Sequence, residues 1–405
     1  MTAFPPADSG AASQPAVAES SSKAPVGDGQ ASVGDDRLRR VLIVGAGLIG
    51  TSVGLALRER RVDVVLQDTA PGRLALAAEL GAGRPWPVQT VPGQPPGAPE
   101  HTFDIAILAV PPAAVASELK RLQSLDLART YTDVASAKAE PEREAEAIGV
   151  DMTRYVGGHP IAGRERSGPA AAHGDLFVGR PWVITQTALS GAAAVADVHA
   201  LAVACGAVPV TMSADEHDAA LAAVSHLPHL VASLLAAQLV DRDDAVVGLG
   251  GTGLHDTTRV AAGDAELWTQ ILSANAEHLA TALSRFAADV ERTRADLERL
   301  AGGDRSAAIA LTATLRAGAA GRARVPVKRG QPSAGFVTVP IVVRDAPGEL
   351  AALLRTLGDA GINVEDVRVE HQPGRPLGVV ELDVREDVEA KLVDCMRQSG
   401  WQVYT

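Results

Sequence analysis

The feature that most constrains the fold is a glycine-rich turn enclosed between an apolar run and an amphipathic run. In RRVLIVGAGLIGTSVGLALRER, residues 39–60, glycines at 45, 47 and 50 follow a short buried strand and open a helix. The next apolar run, VDVVLQD, ends in Asp68, 23 residues after the first glycine. Strand, GxGxxG turn, helix and acid-ended strand are typical of a dinucleotide-binding unit, so an α/β fold with a Rossmann-type domain is predicted.

Each glycine of this turn has a separate predicted task. Gly45 permits the tight turn, Gly47 lets the backbone approach a pyrophosphate, and Gly50 lets the helix pack close to its strand. The first turn of that helix offers unpaired N–H groups and the positive end of the helix dipole to phosphates. The predicted phosphate-side contacts are therefore Gly45, Gly47, Leu48, Ile49 and Gly50.

The acid at the end of the second strand predicts the choice of cofactor. Asp68 is placed to accept hydrogen bonds from ribose hydroxyls and to repel a 2′-phosphate, which favours NAD over NADP. Two further strands, FDIAILAVPP (103–112) and RTYTDVASAK (129–138), end at the same sheet edge. Since ligands bind beyond the carboxyl ends of such strands, Val110, Pro111 and Ser136 are expected beside the cofactor. Ser136 is equally suited to cap a helix that starts there.

One histidine, in RYVGGHPIAG, is expected at the same edge. The glycines around His159 leave space over its imidazole for a nicotinamide ring or a substrate. GRPWVITQ and GAVPVTMS supply the last strands of this domain, which we assign to residues 37–213.

The rest of the chain divides into segments of different pattern. Residues 1–36 resemble a disordered tail, and 214–320 show helical periodicity without a convincing strand, which predicts an all-helical domain. Residues 321–336 form a basic linker rich in glycine and proline. Residues 337–405 follow the order βαββαβ, which predicts a ferredoxin-like module.

Composition limits the partners and the compartment. The net charge of −12 argues against nucleic acid, because binding phosphates needs a basic face. The two cysteines, Cys205 and Cys395, are far apart and suggest neither a disulfide framework nor a metal site, as in a reducing cytoplasm.

An uncharged segment, AALAAVSHLPHLVASLLAAQLV (219–240), is long enough to cross a membrane. Two histidines, a proline and a glutamine lie within it, and no second such segment follows. We expect a helix buried in a core or between subunits, and we therefore expect a homodimer and no membrane.

Taken together, the motifs GAGLIG, AVPP, DVASAK, GGHPIAGRERSG, SHLPH and GLHDTTRVAAGDAELW resemble the prephenate and arogenate dehydrogenases of tyrosine biosynthesis. The resemblance covers about residues 38–320 and implies an NAD-dependent oxidative decarboxylation of a small dianionic substrate. The tail, with DAPGELAALL and GINVEDV, separately resembles an ACT domain. That resemblance implies amino-acid binding, here tyrosine, near Gly348 and Asn363.

The family resemblance also implies roles for individual side chains. His159 is the expected general base, since a neutral imidazole suits that task near pH 7, and Ser136 is expected to share the substrate hydroxyl and orient it. Arg259 is expected to bind a carboxylate, although a surface helix arginine would look the same. The remaining expected substrate contacts are His229, His226, Glu165, Asp256 and Trp268. Lone histidines on apolar helices and a tryptophan are often plain core residues; Pro228 is expected to kink the helix and aim the two rings.

Three alternatives stay open from the sequence. An arogenate dehydrogenase would keep the fold and prefer an amino group on the substrate. Another β-hydroxyacid dehydrogenase would need a catalytic lysine on the helical domain, and no lysine occurs in the hundred residues after Ser213. A non-catalytic sensor of NAD and amino acids would give no reason to keep His159, Ser136 and Arg259 together.

Overall fold

In this computed structural model the described residues are 37–86, 103–162, 168–325, 335–371 and 376–404. The predicted tail, part of the predicted linker and Glu165 lie outside them. Five parallel strands form the first sheet, in the order β3-β2-β1-β4-β5. They are β1 (Arg40–Val44), β2 (Asp63–Gln67), β3 (Arg84–Pro85), β4 (Phe103–Leu108) and β5 (Ala128–Asp133).

Helices cover both faces of this sheet, which is why its strands read as unbroken apolar runs. They are α1 (Leu48–Glu59), α2 (Pro71–Glu79), α3 (Pro112–Ser124) and α4 (Ala139–Ala147). The strand order changes direction between β1 and β4, where such folds bind dinucleotides. The Rossmann-type prediction is confirmed. The helix expected to start at Ser136 begins three residues later, with Lys138 at its N-cap.

A second, three-stranded sheet continues from β5. It contains β6 (Gly157–Pro160), β7 (Pro181–Thr185) and β8 (Val208–Met212), with α5 (Ala192–Ala204) between the last two. The amide of Val156 donates to the carbonyl of Tyr131 at 3.1 Å, and the bridge between Tyr131 and Tyr155 is parallel. Strand β6 therefore runs in the direction of β5, and His159 comes to the sheet edge that carries the glycine turn.

From Ala214 to Ala323 the chain is helical. The segments are α6 (Ala214–Leu221), α7 (Leu227–Ala237), α8 (Asp244–Val247), α9 (Thr252–Thr258), α10 (Ala265–Ala274), α11 (Ala276–Ala301) and α12 (Ala307–Ala323). Ser213 and Glu216 form a reciprocal capping box that starts α6. A π turn, Ala222–His226, joins α6 to α7, so the irregularity expected at Pro228 lies just before it.

The run Ala214–Ala237 is long and apolar enough to cross a membrane by length and composition alone. Such a run also occurs in core helices of soluble proteins. Here its inner face carries the polar residues His217 and Asp218, both buried.

The C-terminal region is an antiparallel sheet with two helices, and its βαββαβ order is as predicted. The elements are β9 (Phe336–Arg344), α13 (Glu349–Asp359), β10 (Asp366–His371), β11 (Leu377–Arg385), α14 (Glu389–Gln398) and β12 (Gln402–Val403). The strands lie in the order β10-β11-β9-β12. Leu353 of α13 and Leu392 of α14 pack against the sheet in a separate core.

Candidate active site

The glycine turn leaves no room for side chains except on one side. Gly45 has a φ of +106°, and a Cβ there would lie 2.1 Å from the carbonyl oxygen of Ala109 at the end of β4. A Cβ on Gly50 would lie 2.0 Å from the carbonyl oxygen of Gly45. By contrast, a Cβ on Gly47 would meet nothing within 4 Å. The backbone is therefore closed towards the sheet and open at Gly47, as the approach of a pyrophosphate requires.

The acid predicted to bind ribose is already oriented by the backbone. One carboxylate oxygen of Asp68 accepts from the amide of Ala46 at 2.7 Å, and the other accepts from Ala70 at 2.7 Å and from Arg73 at 3.0 Å. Burial alone would raise the pKa of Asp68, but these hydrogen bonds outweigh it and lower that pKa. An ionised carboxylate beside the glycine turn fits the ribose hydroxyls of a dinucleotide.

The other predicted cofactor contacts lie around this turn. Leu48 and Ile49 open α1 and pack in part against the core beneath the sheet. Val110 and Pro111 follow β4, and Pro111 is the exposed N-cap residue of α3.

His159 belongs to a chain of hydrogen bonds that reaches into the helical domain. Its Nδ1 lies 2.8 Å from Nε2 of His217, and Nδ1 of His217 lies 2.7 Å from a carboxylate oxygen of Asp218. His217 and Asp218 are fully buried, whereas His159 is half-buried. We refer to His159, His217 and Asp218 as the relay.

With both rings neutral, the hydrogen bonds of the relay determine which nitrogen of each ring carries the proton. Asp218 accepts only, so Nδ1 of His217 is the donor and its Nε2 is left as an acceptor. Nδ1 of His159 then donates to that acceptor. Nε2 of His159 therefore keeps a lone pair, which is the form a general base needs.

Burial lowers the pKa of His159 well below its usual 6.5, and His217, Lys138 and His226 nearby lower it further. His159 is therefore neutral at pH 7. Burial alone would raise the pKa of Asp218, but the hydrogen bonds from His217 and from the amides of Ala139 and Lys138 outweigh it and lower that pKa. The relay thus runs from the neutral ring of His159 to the carboxylate of Asp218.

Lys138 joins three elements around His159. Its amide donates to Asp218 at 2.9 Å, and its ammonium donates to the carbonyl of Gly158 at 2.8 Å and pairs with Asp133. The hydroxyl of Tyr155 donates to the other oxygen of Asp133 at 2.7 Å. Lys138 therefore holds the residue before His159 on one side and the end of the relay on the other.

A second group of rings lies along α7. His229 stacks on Trp268, with ring centroids 3.5 Å apart, and Gly263 allows this because a Cβ there would lie 2.8 Å from the indole nitrogen. His226 contacts the edge of Trp268, and its Nδ1 lies 3.1 Å from the amide nitrogen of Asn275. Burial lowers the pKa of both histidines.

The other predicted residues are placed as follows. Ser136 is half-buried in the loop between β5 and α4, and its contact with the substrate hydroxyl stays a prediction. His159 is hydrogen-bonded to His217. Arg259 opens a 3-10 turn, Arg259–Ala262, that packs on α7. Asp256 is exposed on α9, next to His255.

Sequence reasoning missed the inner part of this site, namely His217, Asp218, Lys138, Asp133 and Asn275. A signal for two of them exists. Ala214, His217, Asp218 and Ala222 are spaced as the buried stripe of a helix, and two of these four positions are polar. Polar residues on a buried stripe indicate a site.

Comparisons with known proteins agree with this geometry. Residues 53–211 match the family model described as prephenate dehydrogenase, nucleotide-binding domain, and residues 213–309 match prephenate dehydrogenase, dimerization domain. A probable prephenate dehydrogenase, NovF of Streptomyces niveus, is 36% identical over 369 residues, which is 90% of this chain and 99% of the relative.

A second relative and a solved structure agree. The prephenate dehydrogenase of Bacillus subtilis is 24% identical over 87% of this chain and 93% of its own length. The crystal structure of the prephenate dehydrogenase of A. aeolicus, in complex with hydroxyphenyl propionate and NAD⁺, has a TM-score of 0.59 and 27% identity, covering 69% of this chain and 97% of that one.

Proposed function

This chain belongs to the prephenate dehydrogenase family, and from that premise we propose that it converts prephenate to 4-hydroxyphenylpyruvate with NAD⁺ as the oxidant. Its cofactor is NAD. The observation that carries the proposal is the relay, because it presents an unprotonated Nε2 of His159 at the edge that holds the glycine turn.

The reaction needs one proton removed and one hydride accepted. NAD⁺ held at the glycine turn and Asp68 would supply the acceptor for the hydride of the hydroxyl-bearing ring carbon. His159 takes the hydroxyl proton at Nε2 while the oxygen becomes a carbonyl. The ring carboxylate then leaves as CO₂, its bonding electrons make the ring aromatic, and the carbonyl oxygen becomes a phenolate. The phenolate takes back the proton held by His159 and becomes the phenol, so no net proton is released. Aromatisation drives the reaction, so the protein mainly positions the substrate and removes the proton.

The proton gained by His159 does not stay on an isolated ring. His159 donates through Nδ1 to His217, which donates to Asp218, so the positive charge is stabilised by a carboxylate two hydrogen bonds away. General-base catalysis of this kind contributes about 10²- to 10⁴-fold. Ser136 is proposed to share the substrate hydroxyl from the neighbouring loop.

The substrate carries two carboxylates and therefore needs cations and donors. We assign one carboxylate to Arg259, whose planar guanidinium suits it. His229, held by its stack on Trp268, is assigned to the side-chain end of the substrate. His226 faces Asn275, so its proposed part is to position that wall of the pocket. Glu165 and Asp256 are proposed at the entrance.

The test is NADH absorbance with prephenate or arogenate, for wild type and for His159→Asn. We expect NADH from prephenate and a loss of about 10²- to 10⁴-fold in kcat in the variant. A faster rate with arogenate would transfer the proposal to that substrate. No rate with either would overturn the proposed reaction, and an unchanged rate in the variant would overturn the role of His159.

We also propose a homodimer formed through the helical domain. Helix α11 spans 26 residues, of which only Leu279 is buried within the described part of one chain. Phe286, Val290 and Leu297 are exposed on it, and Leu315 is exposed on α12. A second copy would cover this apolar surface. Sedimentation of wild type and Val290→Glu tests this: the variant is expected to be monomeric.

The buried face of the run Ala214–Ala237 indicates whether this run lies in a membrane or inside the protein. Its His217 and Asp218 bond to residues of the nucleotide-binding domain, namely His159 and Lys138. A lipid environment would leave these groups without those partners. We propose that the enzyme works in the cytoplasm and that this run does not cross a membrane.

For the C-terminal region we propose an ACT-type role, with tyrosine as the effector. A groove of about 520 Å³ lies between the start of α13 and the turn before β12 and is lined by Arg344, Glu349, Leu377 and Trp401, among others. Gly348, with a φ of +90°, directly precedes Glu349 of this groove. The side-chain amide of Asn363 donates a hydrogen bond to the carboxylate of Glu365. Activity measured with and without saturating tyrosine tests this, and equal rates would contradict it.

A further inference from the structure

The ribose end of the nucleotide site contains a cation as well as the predicted acid. Arg73, on the first turn of α2, donates to one oxygen of Asp68 through Nη2 at 3.0 Å and through Nε at 3.4 Å. The side chain of Asp68 is 4% exposed, whereas that of Arg73 is 53% exposed. A buried carboxylate thus stands beside a guanidinium that solvent reaches.

Arg73 is not needed to orient Asp68. The amides of Ala46 and Ala70 already hold both carboxylate oxygens, each at 2.7 Å. Because backbone donors fix the acid, the arginine is a separate contribution to the charge of this edge. Guanidinium groups bind phosphate with two parallel hydrogen bonds, and an arginine near this position accommodates a 2′-phosphate in NADP-dependent relatives of the fold.

We propose that Arg73 is a specificity-determining residue: it is a phosphate-binding cation whose charge is partly neutralised by its ion pair with Asp68. In the wild type the ion pair cancels part of the repulsion that Asp68 alone would exert on a 2′-phosphate. Discrimination between NAD and NADP is therefore set by the pair and not by the acid alone. Removal of Arg73 sharpens the preference for NAD, and removal of Asp68 frees Arg73 and reverses the preference.

The experiment measures the binding of 5′-AMP and of 2′,5′-ADP to the full chain by calorimetry, so it does not depend on turnover or on the substrate. The variants are Arg73→Ala, Asp68→Ser and the double variant. Arg84→Ala is the matched control, since Arg84 is similarly exposed and pairs with Asp63 at the opposite end of β2.

We expect Arg73→Ala to weaken 2′,5′-ADP binding about tenfold, the size of one charge-assisted contact, with 5′-AMP affinity unchanged. Asp68→Ser is expected to strengthen 2′,5′-ADP binding about tenfold or more, and the double variant to lose that gain. Arg84→Ala should change neither ligand.

Two outcomes would overturn the proposal. One is a double variant that binds 2′,5′-ADP as tightly as Asp68→Ser does, which would show that Arg73 makes no contact with the added phosphate. The other is an equal loss of both ligands in Arg73→Ala, which would make Arg73 a structural support for the edge. Thermal unfolding of each variant identifies a loss that is due to misfolding.

Discussion

The nucleotide edge, which consists of the glycine turn at residues 45–50 and Asp68, lies at the same end of the molecule as the relay. The two are built differently. The nucleotide edge is made of backbone groups and glycines from one short stretch, with Asp68 22 residues from the amide that it binds. The relay is made of side chains from two domains: His159 and His217 are 58 residues apart in the chain. A site made from backbone needs only local geometry, whereas a relay of side chains needs two domains to meet.

The largest effect is expected from changing the relay at its carboxylate end. Asp218→Asn leaves a similar shape but removes the acceptor that fixes the proton positions, so we expect kcat to fall about 10²- to 10⁴-fold. The Kd for NAD⁺ should change little, because the nucleotide edge does not use Asp218. Asp215→Asn, exposed on the same helix, is the control. A parallel loss of NAD⁺ affinity in Asp218→Asn would show that the two regions are not separable.

The next effect concerns stability and also falls on the relay side. Lys138→Met leaves the carboxylate of Asp133 buried without its cation, which typically costs about 3–5 kcal/mol of unfolding free energy. Urea denaturation measures this loss. The double variant Lys138→Met, Asp133→Asn should recover part of the loss, because the uncompensated charge is gone. A double variant less stable than the single one would contradict this explanation.

Substitutions at two glycines of the nucleotide edge distinguish an effect on stability from an effect on NAD⁺ binding. Gly50→Ala places a Cβ against the backbone of Gly45 and is expected to cost about 1–3 kcal/mol by overpacking. Gly47→Ala meets open space, so its thermal unfolding should match wild type while NAD⁺ binding weakens. Calorimetry of both variants checks the pair. Equal unfolding temperatures for the two would contradict the difference in space.

The smallest effect per residue is the pH dependence of stability, which falls in a different pH range for the histidines of the active site than for Asp68. Burial lowers the pKa of His159, His226 and His229, so below pH 6.5 the unfolded chain binds more protons than the folded one and stability falls. Each histidine contributes at most about 1.4 kcal/mol per pH unit. The lowered pKa of Asp68 acts only below pH 3.8.

Urea denaturation at pH 7.5 and 5.5 measures this loss, and His229→Asn should reduce it. An equal loss in wild type and variant would show that His229 does not contribute.

The nucleotide edge could be predicted from the sequence because its determinants are contiguous. Gly45, Gly47 and Gly50 act through the absence of a side chain, and the spacing to Asp68 is set by one helix and one strand. The βαββαβ order of the tail could be predicted for the same reason, since each element shows its own periodicity.

The inner site could not be predicted in this way. His159 was predicted with Ser136 as its partner, whereas nothing in the sequence predicted the hydrogen bond of His159 with His217, which lies on α6. Whether Lys138 reaches Gly158, or Asn275 reaches Asp218 at 2.7 Å, depends on how strand and helix meet in space. The periodicity of the sequence does not show how the strand and the helix pack together. A polar residue at a buried position of a helix does, however, indicate which helix contributes to the site.

The π turn between α6 and α7 changes the angle, measured around the helix axis, between His217 and His229. Successive residues of an α-helix are rotated by about 100°, so in an unbroken helix His217 and His229 would point about 120° apart. A π turn absorbs about one extra residue, which reduces that angle to about 20°. The run behaves as a regular helix with one inserted residue. Deleting a residue from Ala222–His226 would keep both rings on one face but would bring the ring of Pro228 against the regular ladder.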